Sequence, residues 1–520
     1  MFSMTQLVRR ASQMAGARLA TCDGERSYTW RALEERLARF AGGLRKLGIA
    51  AGDRVAMLAL NSDRYFEFLF AVPWAGGVFV PVNTRLAGPE VAYWLNDSGA
   101  KVLLVDRAHV ELLEKIRPSL TSVEQTVFID DDQLPQGCLA YEELLLSTDA
   151  IDDAGRCGED LAGLFYTGGT TGRSKGVMLS HGNLVGNALQ TLALLEHGSG
   201  ERILHAAPMF HIADGCVCLA SASMCGANYF IPGFEPVAVM RAIESHCIER
   251  MILVPTMINM LVNHPQVGEH DLGSLRNVLY GASPMPESVI AKAMEVLPGT
   301  RFHQAYGQTE TAPILTILRP EYHVTKGPHA GKLKSAGQAV PGVDLAIFDD
   351  ADRPVPPGTV GEICVRGPNV MLGYRNMPEQ TSTALRGGWL HTGDGGYLDD
   401  EGFLFIVDRV KDMIVSGGEN VYSAEVENAI FEHPSVAQCA VIGVPDDKWG
   451  EQVHAIVVPK TGTAPTEEDI VAHCRERIAS FKCPRSVSFR QAPLPLSGAG
   501  KILKTELRKP FWEGRGRNVN

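Results

Sequence analysis

Residues 166–176, which read YTGGTTGRSKG, combine the residue types that bind phosphate. They follow the apolar run 161–165, which predicts a strand leading into a loop. Glycines allow backbone N–H groups to point inward, hydroxyls add further donors, and Lys175 supplies a mobile positive charge. The lysine does not directly follow a glycine, so this is not a Walker A loop. By itself the segment leaves phosphate binding and a plain surface loop equally open.

Two further segments carry groups that suit a nucleotide and a metal ion. YGQTE follows the predicted strand 301–305. In it, Tyr306 could stack on a base, Thr309 could donate to a phosphate, and Glu310 could bind Mg²⁺ through a hard oxygen. WLHTGD ends in Asp394, whose carboxylate could accept both hydroxyls of a ribose. A packed tyrosine, a solvated glutamate and a turn aspartate would produce the same letters.

Two segments nearer the C-terminus are charged or rich in glycine. Residues 408–412 read DRVKD and lie between two apolar runs. Residues 493–504 read PLPLSGAGKILK and place Lys501 at the tip of a glycine-rich loop. Taken singly, the first is typical of a solvated turn and the second of an exposed lysine.

Alternating strands and helices must position these segments. Apolar runs at 55–60, 78–82 and 102–105 alternate with helical patterns, which predicts βαβ units and a parallel sheet. After about residue 335, short strands separated by turns predict a mainly antiparallel subdomain. Beyond residue 411, two helices and two apolar strands predict a small α+β domain. The predicted fold class is α/β.

Composition and charge limit the classes of protein. The 520 residues contain 45% hydrophobic side chains, as globular proteins do, and the length predicts more than one domain. The formal net charge of −12 excludes a general nucleic-acid binder, whose affinity would need a basic surface. The charge is uneven, since residues 471–520 carry 11 basic against 3 acidic side chains.

No segment predicts export or membrane insertion. Arg9 and Arg10 have no apolar stretch behind them, so no secretory signal is visible. The most apolar window, 68–82, is short and broken by proline and glycine, so it does not predict a membrane span. The 11 cysteines follow no disulfide or zinc pattern. We therefore expect a cytoplasmic protein without an integral membrane segment.

In this order and spacing, the motifs resemble the adenylate-forming superfamily of acyl-CoA synthetases, peptide-synthetase adenylation domains and luciferases. The resemblance extends from about residue 11 to 508 and also includes DRVKDMIVSGGENVYSAEVE (408–427) and VIGVPDDKWGE (441–451). These two look most like acyl-CoA and aryl-CoA ligases. The resemblance implies a large domain of mixed α/β layers (1–410) with a small antiparallel β subdomain. A small mobile α+β domain (411–520) would follow.

The resemblance also implies a role for each matching residue. Contacts to the β- and γ-phosphates of ATP are expected from Thr167, Gly168, Gly169, Thr170, Thr171, Gly172 and Lys175. The adenine is expected to lie against Gly281, Ala282, Ser283 and Tyr306, and Gly307 is also expected among the cofactor-binding residues. The ribose would be held by Asp394 and Arg409, the α-phosphate by Thr309, and Mg²⁺ by Glu310. Lys411 matches the hinge, Gly417 and Gly418 would let the pantetheine arm pass, and Lys501 would be delivered to the reaction centre.

The implied activity is an ATP-dependent acyl-CoA ligase. The acid would attack the α-phosphorus of ATP to form an acyl-AMP, and coenzyme A would then take the acyl group. Some plant relatives have lysine and glutamine where this chain has Val415 and Asn420, so loop contacts in the second step could differ. A homodimer is left open. The resemblance also allows a carrier-protein-loading enzyme, a luciferase-like oxygenase and an inactive nucleotide-binding regulator.

The acid pocket of the family corresponds to residues 208–215, with further walls near Gly281 and 312–314. His211 would be a wall or gate of this pocket, although a packed core histidine is equally compatible. Ala213 and Gly215 are small and predict a roomy pocket, and the absence of Arg and Lys disfavours a second carboxylate on the substrate. Asp214 would meet a substrate hydroxyl or face solvent. A medium- or long-chain fatty acid is the first expectation, followed by an aryl or cinnamate-like acid.

Overall fold

The computed structural model describes residues 2–167, 174–409, 414–416, 419–446, 449–497 and 502–513. The helices among them are Met4–Ala15, Trp30–Lys46, Asp63–Trp74, Gly88–Ser98, Val110–Ile116, Tyr141–Leu146, His181–Leu192, Ile212–Met224, Pro236–His246, Pro255–Val262, Glu287–Val296, Pro378–Ala384, Ser423–Phe431, Glu467–Arg475 and Lys504–Trp512. No helix in these ranges is both long and apolar enough to cross a bilayer. All 11 cysteines are free thiols.

Two large sheets form most of the first 400 residues. In spatial order, the nine-stranded sheet contains Gln338–Ala339, Ile314–Leu318, Arg301–Gly307, Asn277–Gly281, Arg250–Leu253, Arg202–His205, Ala227–Phe230, Leu19–Asp23 and Arg26–Thr29. The eight-stranded sheet contains Gly373–Tyr374, Lys175–Ser180, Leu161–Thr167, Val78–Pro81, Arg54–Leu58, Ala100–Val105, Gln125–Phe128 and Leu139–Ala140. The inner strands of both are mainly parallel, which confirms the predicted βαβ pattern.

A layer of helices joins the two sheets into one core. Five helices pack on one another there: Met4–Ala15, Trp30–Lys46, Asp63–Trp74, His181–Leu192 and Ile212–Met224. Asp63–Trp74 is buried along its whole length, and one apolar cluster combines its aromatic rings with Phe79 of one sheet and Phe230 of the other. Burial of such rings supplies the main driving force for this packing, about 25 cal/mol per Å² of apolar surface.

Two smaller sheets complete the fold. The strands Asp344–Phe348, Gly361–Arg366, Leu390–Leu398 and Leu404–Arg409 are all antiparallel, which confirms the predicted subdomain. The last sheet is built from Glu419–Val421, Ile414–Ser416, Gly450–Pro459, Val436–Asp446 and Ser486–Phe489, and helices cover it. The α/β class with a large and a small α+β part is therefore confirmed. The boundary expected at residues 410–411 involves residues outside the described ranges.

Candidate functional site

The two strands that flank the glycine-rich loop are neighbours. Leu161–Thr167 and Lys175–Ser180 pair as antiparallel strands, with Thr167 opposite Lys175. Residues 168–173 lie outside the described ranges, and with them the expected phosphate contacts Gly168, Gly169, Thr170, Thr171 and Gly172. The fold therefore brings the two ends of the predicted loop together and places Lys175 at its exit.

Side chains on a neighbouring helix anchor the entry to this loop. The Tyr166 hydroxyl donates to Asp97 Oδ2 at 2.5 Å, and its ring stacks on Trp94 with a centroid separation of 5.0 Å. Tyr93 on the same helix donates its hydroxyl to the carbonyl of Ser174, at 3.3 Å. The helix Gly88–Ser98 thus contacts both sides of the loop, a relationship that sequence reasoning did not predict.

The adenine contacts expected from the sequence come together where two parallel strands end. Gly281 lies opposite Ala305 in the pairing of Asn277–Gly281 with Arg301–Gly307. A Cβ at Gly281 would lie 2.1 Å from the carbonyl oxygen of Ala305, and one at Gly307 would lie 1.8 Å from that of Pro313. Both positions therefore require glycine because another backbone segment passes so close.

The next two residues continue from the end of that strand. Ala282 has a positive φ of 67° and Ser283 is half-buried beside it. Positive φ is uncommon for a residue with a side chain and costs local energy, and such conformations concentrate at ligand sites. Gly281, Ala282 and Ser283 thus lie at the end of the strand that pairs with the strand carrying Tyr306.

Asp394 receives hydrogen bonds from two side chains of the YGQTE motif. The Tyr306 hydroxyl and Gln308 Nε2 both donate to Asp394 Oδ2, each at 2.8 Å. Gln308 Nε2 also donates to the Thr392 carbonyl at 2.8 Å. Arg409 lies opposite Asp394 in the register of two antiparallel strands. Tyr306, expected at the adenine, and Asp394, expected at the ribose, are therefore joined directly by a hydrogen bond.

The strand residues just before Asp394 are held by Glu362, which sequence reasoning did not identify. Glu362 Oε1 accepts the Gly393 N–H at 2.9 Å, and Glu362 Oε2 lies 2.8 Å from His391 Nδ1. Gly393 has a φ of +72° within the strand Leu390–Leu398, at a point where its pairing with Gly361–Arg366 is irregular. An acceptor from a neighbouring strand thus orients the WLHTGD segment.

Glu310 lies on a single turn of 3₁₀ helix whose ends are hydrogen-bonded. In the turn Thr309–Thr311, the Gln308 N–H donates to Thr311 Oγ1 at 3.0 Å. Asn369 Nδ2 donates to the Thr311 carbonyl at 2.8 Å, which connects the turn to another segment of the large domain. The backbone of Thr309 and Glu310 is therefore fixed by side chains on both sides.

Tyr374 contacts Glu310 and Lys175, although no sequence pattern indicated this residue. Its hydroxyl donates to Glu310 Oε1 at 2.9 Å, and Lys175 Nζ lies 4.6 Å from the centroid of its ring. Burial and the Glu310 carboxylate raise the pKa of Tyr374, so the hydroxyl stays protonated and donates. Lys175 and Glu310, which are 135 positions apart in sequence, therefore share one aromatic neighbour.

The surroundings of Glu310 fit a magnesium ion that substrate phosphates help to hold. Tyr374 occupies Oε1, and no described His, Cys, Asp or Glu converges with Glu310 in the manner of a protein-only metal site. Mg²⁺ is typically bound by one or two carboxylates together with phosphate oxygens and water. A single carboxylate near a phosphate-binding loop has that chemistry.

His211 starts the helix Ile212–Met224, and its side chain caps the helix. Its Nδ1 accepts the Ala213 N–H at 3.2 Å, which satisfies one of the free donors at a helix N-terminus. The residue is half-buried rather than enclosed in the core. The expectation of a packed core histidine is therefore wrong, and the role of His211 as a wall or gate stays a prediction.

Asp214 does not face solvent, because it is fully buried and paired with His205. Asp214 Oδ2 lies 2.7 Å from His205 Nδ1, while His205 Nε2 lies 3.0 Å from Asn228 Oδ1. The amide of Asn228 donates to the Ala20 carbonyl, so its oxygen faces the imidazole and Nε2 must carry hydrogen. Although burial lowers it, the net pKa of His205 is raised well above its usual value by Asp214 and Cys218.

His205, Asp214 and Cys218 are residue types that bind metal ions, but the distance between His205 and Asp214 is that of a hydrogen bond. Cys218 Sγ lies 3.9 Å from His205 Nδ1, so three ligand types converge. A zinc ion about 2.0–2.2 Å from both a nitrogen and an oxygen would hold these two atoms further apart than a hydrogen bond does. We therefore interpret His205 and Asp214 as a buried ion pair beneath the start of the helix that His211 caps.

The remaining expected residues lie outside the described ranges. These are the hinge and pantetheine residues and the reaction-centre lysine: Lys411, Gly417, Gly418 and Lys501. Beside them, Val415 lies opposite Asn420 in the pairing of two short antiparallel strands. The two positions at which this chain departs from plant relatives are thus direct neighbours.

Comparison with known proteins identifies the same two-part organisation. The profile of the AMP-binding enzyme family matches residues 7–375, and that of the AMP-binding enzyme C-terminal domain matches residues 425–501. The first match alone covers more than half of the chain. It contains the glycine-rich loop, the YGQTE segment and Tyr374, and the second ends at Lys501.

Individual relatives resemble the chain over nearly its whole length. A feruloyl-CoA synthase from Amycolatopsis sp is 42% identical over 505 residues, which are 97% of this chain and 98% of the relative. The fatty acid–[acyl-carrier-protein] ligase ScoC from Streptomyces coeruleorubidus is 37% identical over 506 residues, 96% and 94% of the two chains. The anthranilate CoA ligase AuaEII, solved with anthranoyl-AMP, superposes with a TM-score of 0.91 at 27% identity, covering 98% and 97% of the two chains.

Proposed function

We propose that this chain joins an aromatic monocarboxylic acid to coenzyme A. The chain belongs to the AMP-binding enzyme family and is an AMP-forming acid–thiol ligase. ATP-dependent adenylation and the use of coenzyme A follow from membership of this family. The observation that carries the nucleotide site is the continuous group of contacts from Asp394 through Gln308 and Glu310 to Tyr374 and Lys175. The division into domains 1–410 and 411–520 is part of the proposal.

In the first step, a carboxylate oxygen of the acid attacks the α-phosphorus of ATP. The bond from this phosphorus to the β-phosphate bridging oxygen breaks, and pyrophosphate leaves. Thr309 would donate to the α-phosphate, while Asp394 holds the ribose and Tyr306 lies along the adenine. Charge that develops at phosphorus is best stabilised by fixed positive groups in a water-excluded site. Lys175 and Lys501 would provide those charges, and magnesium on Glu310 would neutralise phosphate charge.

In the second step, the thiol sulfur of coenzyme A attacks the acyl carbon. The acyl–phosphate bond breaks, AMP leaves, and the thiol proton is lost to solvent or to a base. Rotation of the small domain about Lys411 would withdraw Lys501 and bring Gly417 and Gly418 to the pantetheine arm. Residues without side chains leave room for that thin chain next to the backbone.

We place aromatic acids first because two of the similar proteins are named as ligases of aromatic acids. The relative with 42% identity is a feruloyl-CoA synthase, and the structural match with a TM-score of 0.91 is an anthranilate ligase. A fatty acid is the second candidate, supported by ScoC at 37% identity and by the small residue Ala213. Gly215 is buried and lines an internal cavity of about 10 Å³ beside Leu69 and Phe79, which holds no more than a water molecule.

The test is a panel of acids assayed for AMP release with and without coenzyme A. Ferulate, cinnamate, benzoate, octanoate and palmitate cover the two candidate classes at equal concentrations. We expect ferulate or cinnamate to give the highest kcat/KM and AMP release to depend on coenzyme A. A preference for octanoate or palmitate would replace the aromatic proposal. Turnover with an acyl carrier protein but not with coenzyme A would contradict the acceptor.

A further inference from the structure

Tyr374 lies between the two charged side chains expected at the ATP phosphates. Its hydroxyl donates to Glu310 Oε1 at 2.9 Å, and the Lys175 ammonium lies 4.6 Å from its ring centroid. Within the described part of the chain, neither Lys175 nor Glu310 forms a salt bridge. Two opposite charges therefore contact the same side chain without pairing with each other.

A direct pair between these residues would work against nucleotide binding. A lysine ammonium has three donors and no acceptor, and a carboxylate within reach is its usual partner. Pairing would direct those donors away from the phosphates and neutralise the carboxylate that suits magnesium. A ring face instead attracts the ammonium by about 0.5–2 kcal/mol and leaves its N–H groups available.

The backbone fixes the position of Tyr374 without any ligand. The strand Gly373–Tyr374 pairs with Lys175–Ser180, and Tyr374 lies opposite Val177. The Arg375 N–H donates to the Gly176 carbonyl at 2.8 Å, and the Met371 N–H donates to the Glu310 carbonyl at 2.9 Å. Main-chain hydrogen bonds thus connect the segment carrying Tyr374 to both elements that carry the charges.

The backbone of Gly373, the residue before Tyr374, also helps to hold Tyr374 in this position. Gly373 has a φ of +139°, and a Cβ there would lie 2.7 Å from Thr381 Cγ2. Thr381 Oγ1 accepts the Tyr374 N–H at 2.9 Å. The contact with Thr381 fixes the backbone of Gly373 and Tyr374, and the pairing with Lys175–Ser180 fixes the direction of this segment.

We propose that Tyr374 is a positioning residue that separates Lys175 from Glu310, so that the ammonium faces the nucleotide phosphates. This inference rests on the proposed function, since it requires ATP to bind beside these residues. The ring would provide the separation and the hydroxyl would hold the carboxylate. Tyr374→Phe keeps the ring, whereas Tyr374→Leu removes both the ring and the hydroxyl.

The experiment measures ATP binding to the full-length protein by calorimetry in EDTA, where no magnesium contributes. We expect Tyr374→Phe to bind within about twofold of wild type, because the ring still holds Lys175. Tyr374→Leu should bind about tenfold more weakly, the size expected when about 1.4 kcal/mol of cation placement is lost. Tyr229→Phe, a tyrosine that packs on His246 in the other large sheet, is the matched control.

A double-mutant cycle separates this role from general damage to the fold. If the Tyr374→Leu change acts by letting Lys175 pair with Glu310, neutralising Glu310 removes that partner. In the Glu310→Gln background, the same Tyr374→Leu change should alter metal-free ATP affinity by less than about threefold. Thermal unfolding of each variant checks that it folds, and Tyr374→Met replaces Tyr374→Leu if the latter does not.

The outcomes distinguish this inference from the proposed function. Unchanged ATP affinity in Tyr374→Leu, or an equal loss in both backgrounds, would overturn the separating role of Tyr374. A wild-type protein that binds no ATP with or without magnesium would overturn the proposed function instead. If Tyr374→Leu lowers ATP affinity about tenfold, and this loss disappears in the Glu310→Gln background, the inference is supported.

Discussion

The Tyr306 hydroxyl donates a hydrogen bond of 2.8 Å to Asp394 Oδ2, across 88 positions of sequence. Gln308 Nε2 donates to the same oxygen. Two donors on one carboxylate oxygen fix its direction. The carboxylate proposed to hold the ribose is therefore oriented by the residue proposed to hold the adenine.

Tyr306→Phe should weaken ATP binding more than it slows turnover. The change removes one donor from Asp394, while Gln308 still holds the carboxylate. Hydrogen bonds to charged groups contribute about 1.5–3 kcal/mol, so we expect KM for ATP to rise roughly tenfold or more with kcat less affected. Steady-state kinetics with ATP as the varied substrate measure this. A fall in kcat with unchanged KM would contradict the proposed ground-state role.

Substitutions at Glu362 should separate the effect of its negative charge from the effect of its oxygen as the hydrogen-bond acceptor of Gly393. Glu362→Gln retains an oxygen for the Gly393 N–H, whereas Glu362→Ala leaves that donor without its acceptor. We expect the alanine variant to lose about 1–3 kcal/mol of unfolding free energy and the glutamine variant less. Chemical denaturation gives the stabilities, and KM for ATP reports the position of Asp394. Equal stabilities of the two variants would show that Gly393 does not depend on Glu362.

Lys501→Ala should block formation of the acyl-AMP but spare acyl transfer to coenzyme A. The expected positive charge acts while negative charge develops at phosphorus, and removing one such group typically costs about 10²–10³ in rate. Pyrophosphate exchange measures the first step, and supplied acyl-AMP with coenzyme A measures the second. Lys509→Ala, at an exposed lysine eight positions away, is the control for nonspecific loss. Equal losses in both half-reactions would contradict this division.

Lowering the pH from about 6.5 to about 4 should destabilise the protein through buried neutral histidines. Burial lowers the pKa of His181 and of His323 to about 4, against about 6.5 for a solvated imidazole. The unfolded chain therefore binds protons first as the pH falls, so this stabilising contribution is present above about pH 6.5 and is lost towards pH 4. Chemical denaturation at about pH 7.5, 6.0 and 5.0 measures the slope.

His323→Gln tests that pH dependence at one site. His323 Nδ1 lies 3.0 Å from the Arg319 carbonyl and Nε2 lies 2.9 Å from the Tyr280 hydroxyl, so the neutral ring donates to the first and accepts from the second. The glutamine amide can take the same two roles without titrating. The variant should lose less stability on acidification, and exposed His329→Gln should behave as wild type. An unchanged slope in His323→Gln would show that other groups cause the acid sensitivity.

Local motifs allowed much of the fold and the candidate site to be predicted. Helical periodicity and short apolar runs predicted the alternating elements because the spacing of buried side chains is written into consecutive residues. The residues from Tyr306 to Glu310 are consecutive, so their proximity needed no tertiary information. The glycine-rich loop and the WLHTGD segment were likewise recognisable as single local motifs.

Tertiary structure was needed for the partners of those motifs. Tyr374 joins Glu310 and Lys175 because a two-residue strand is added beside Lys175–Ser180, a pairing with no local signal. Glu362 accepts the Gly393 N–H from an adjacent strand, and Asp214 pairs with His205 in the core. The sequence by itself determined which chemical groups the protein carries and in what order. Which of them touch was decided only when strand register and burial brought distant residues together, because hydrogen bonds and ion pairs depend on distances in space.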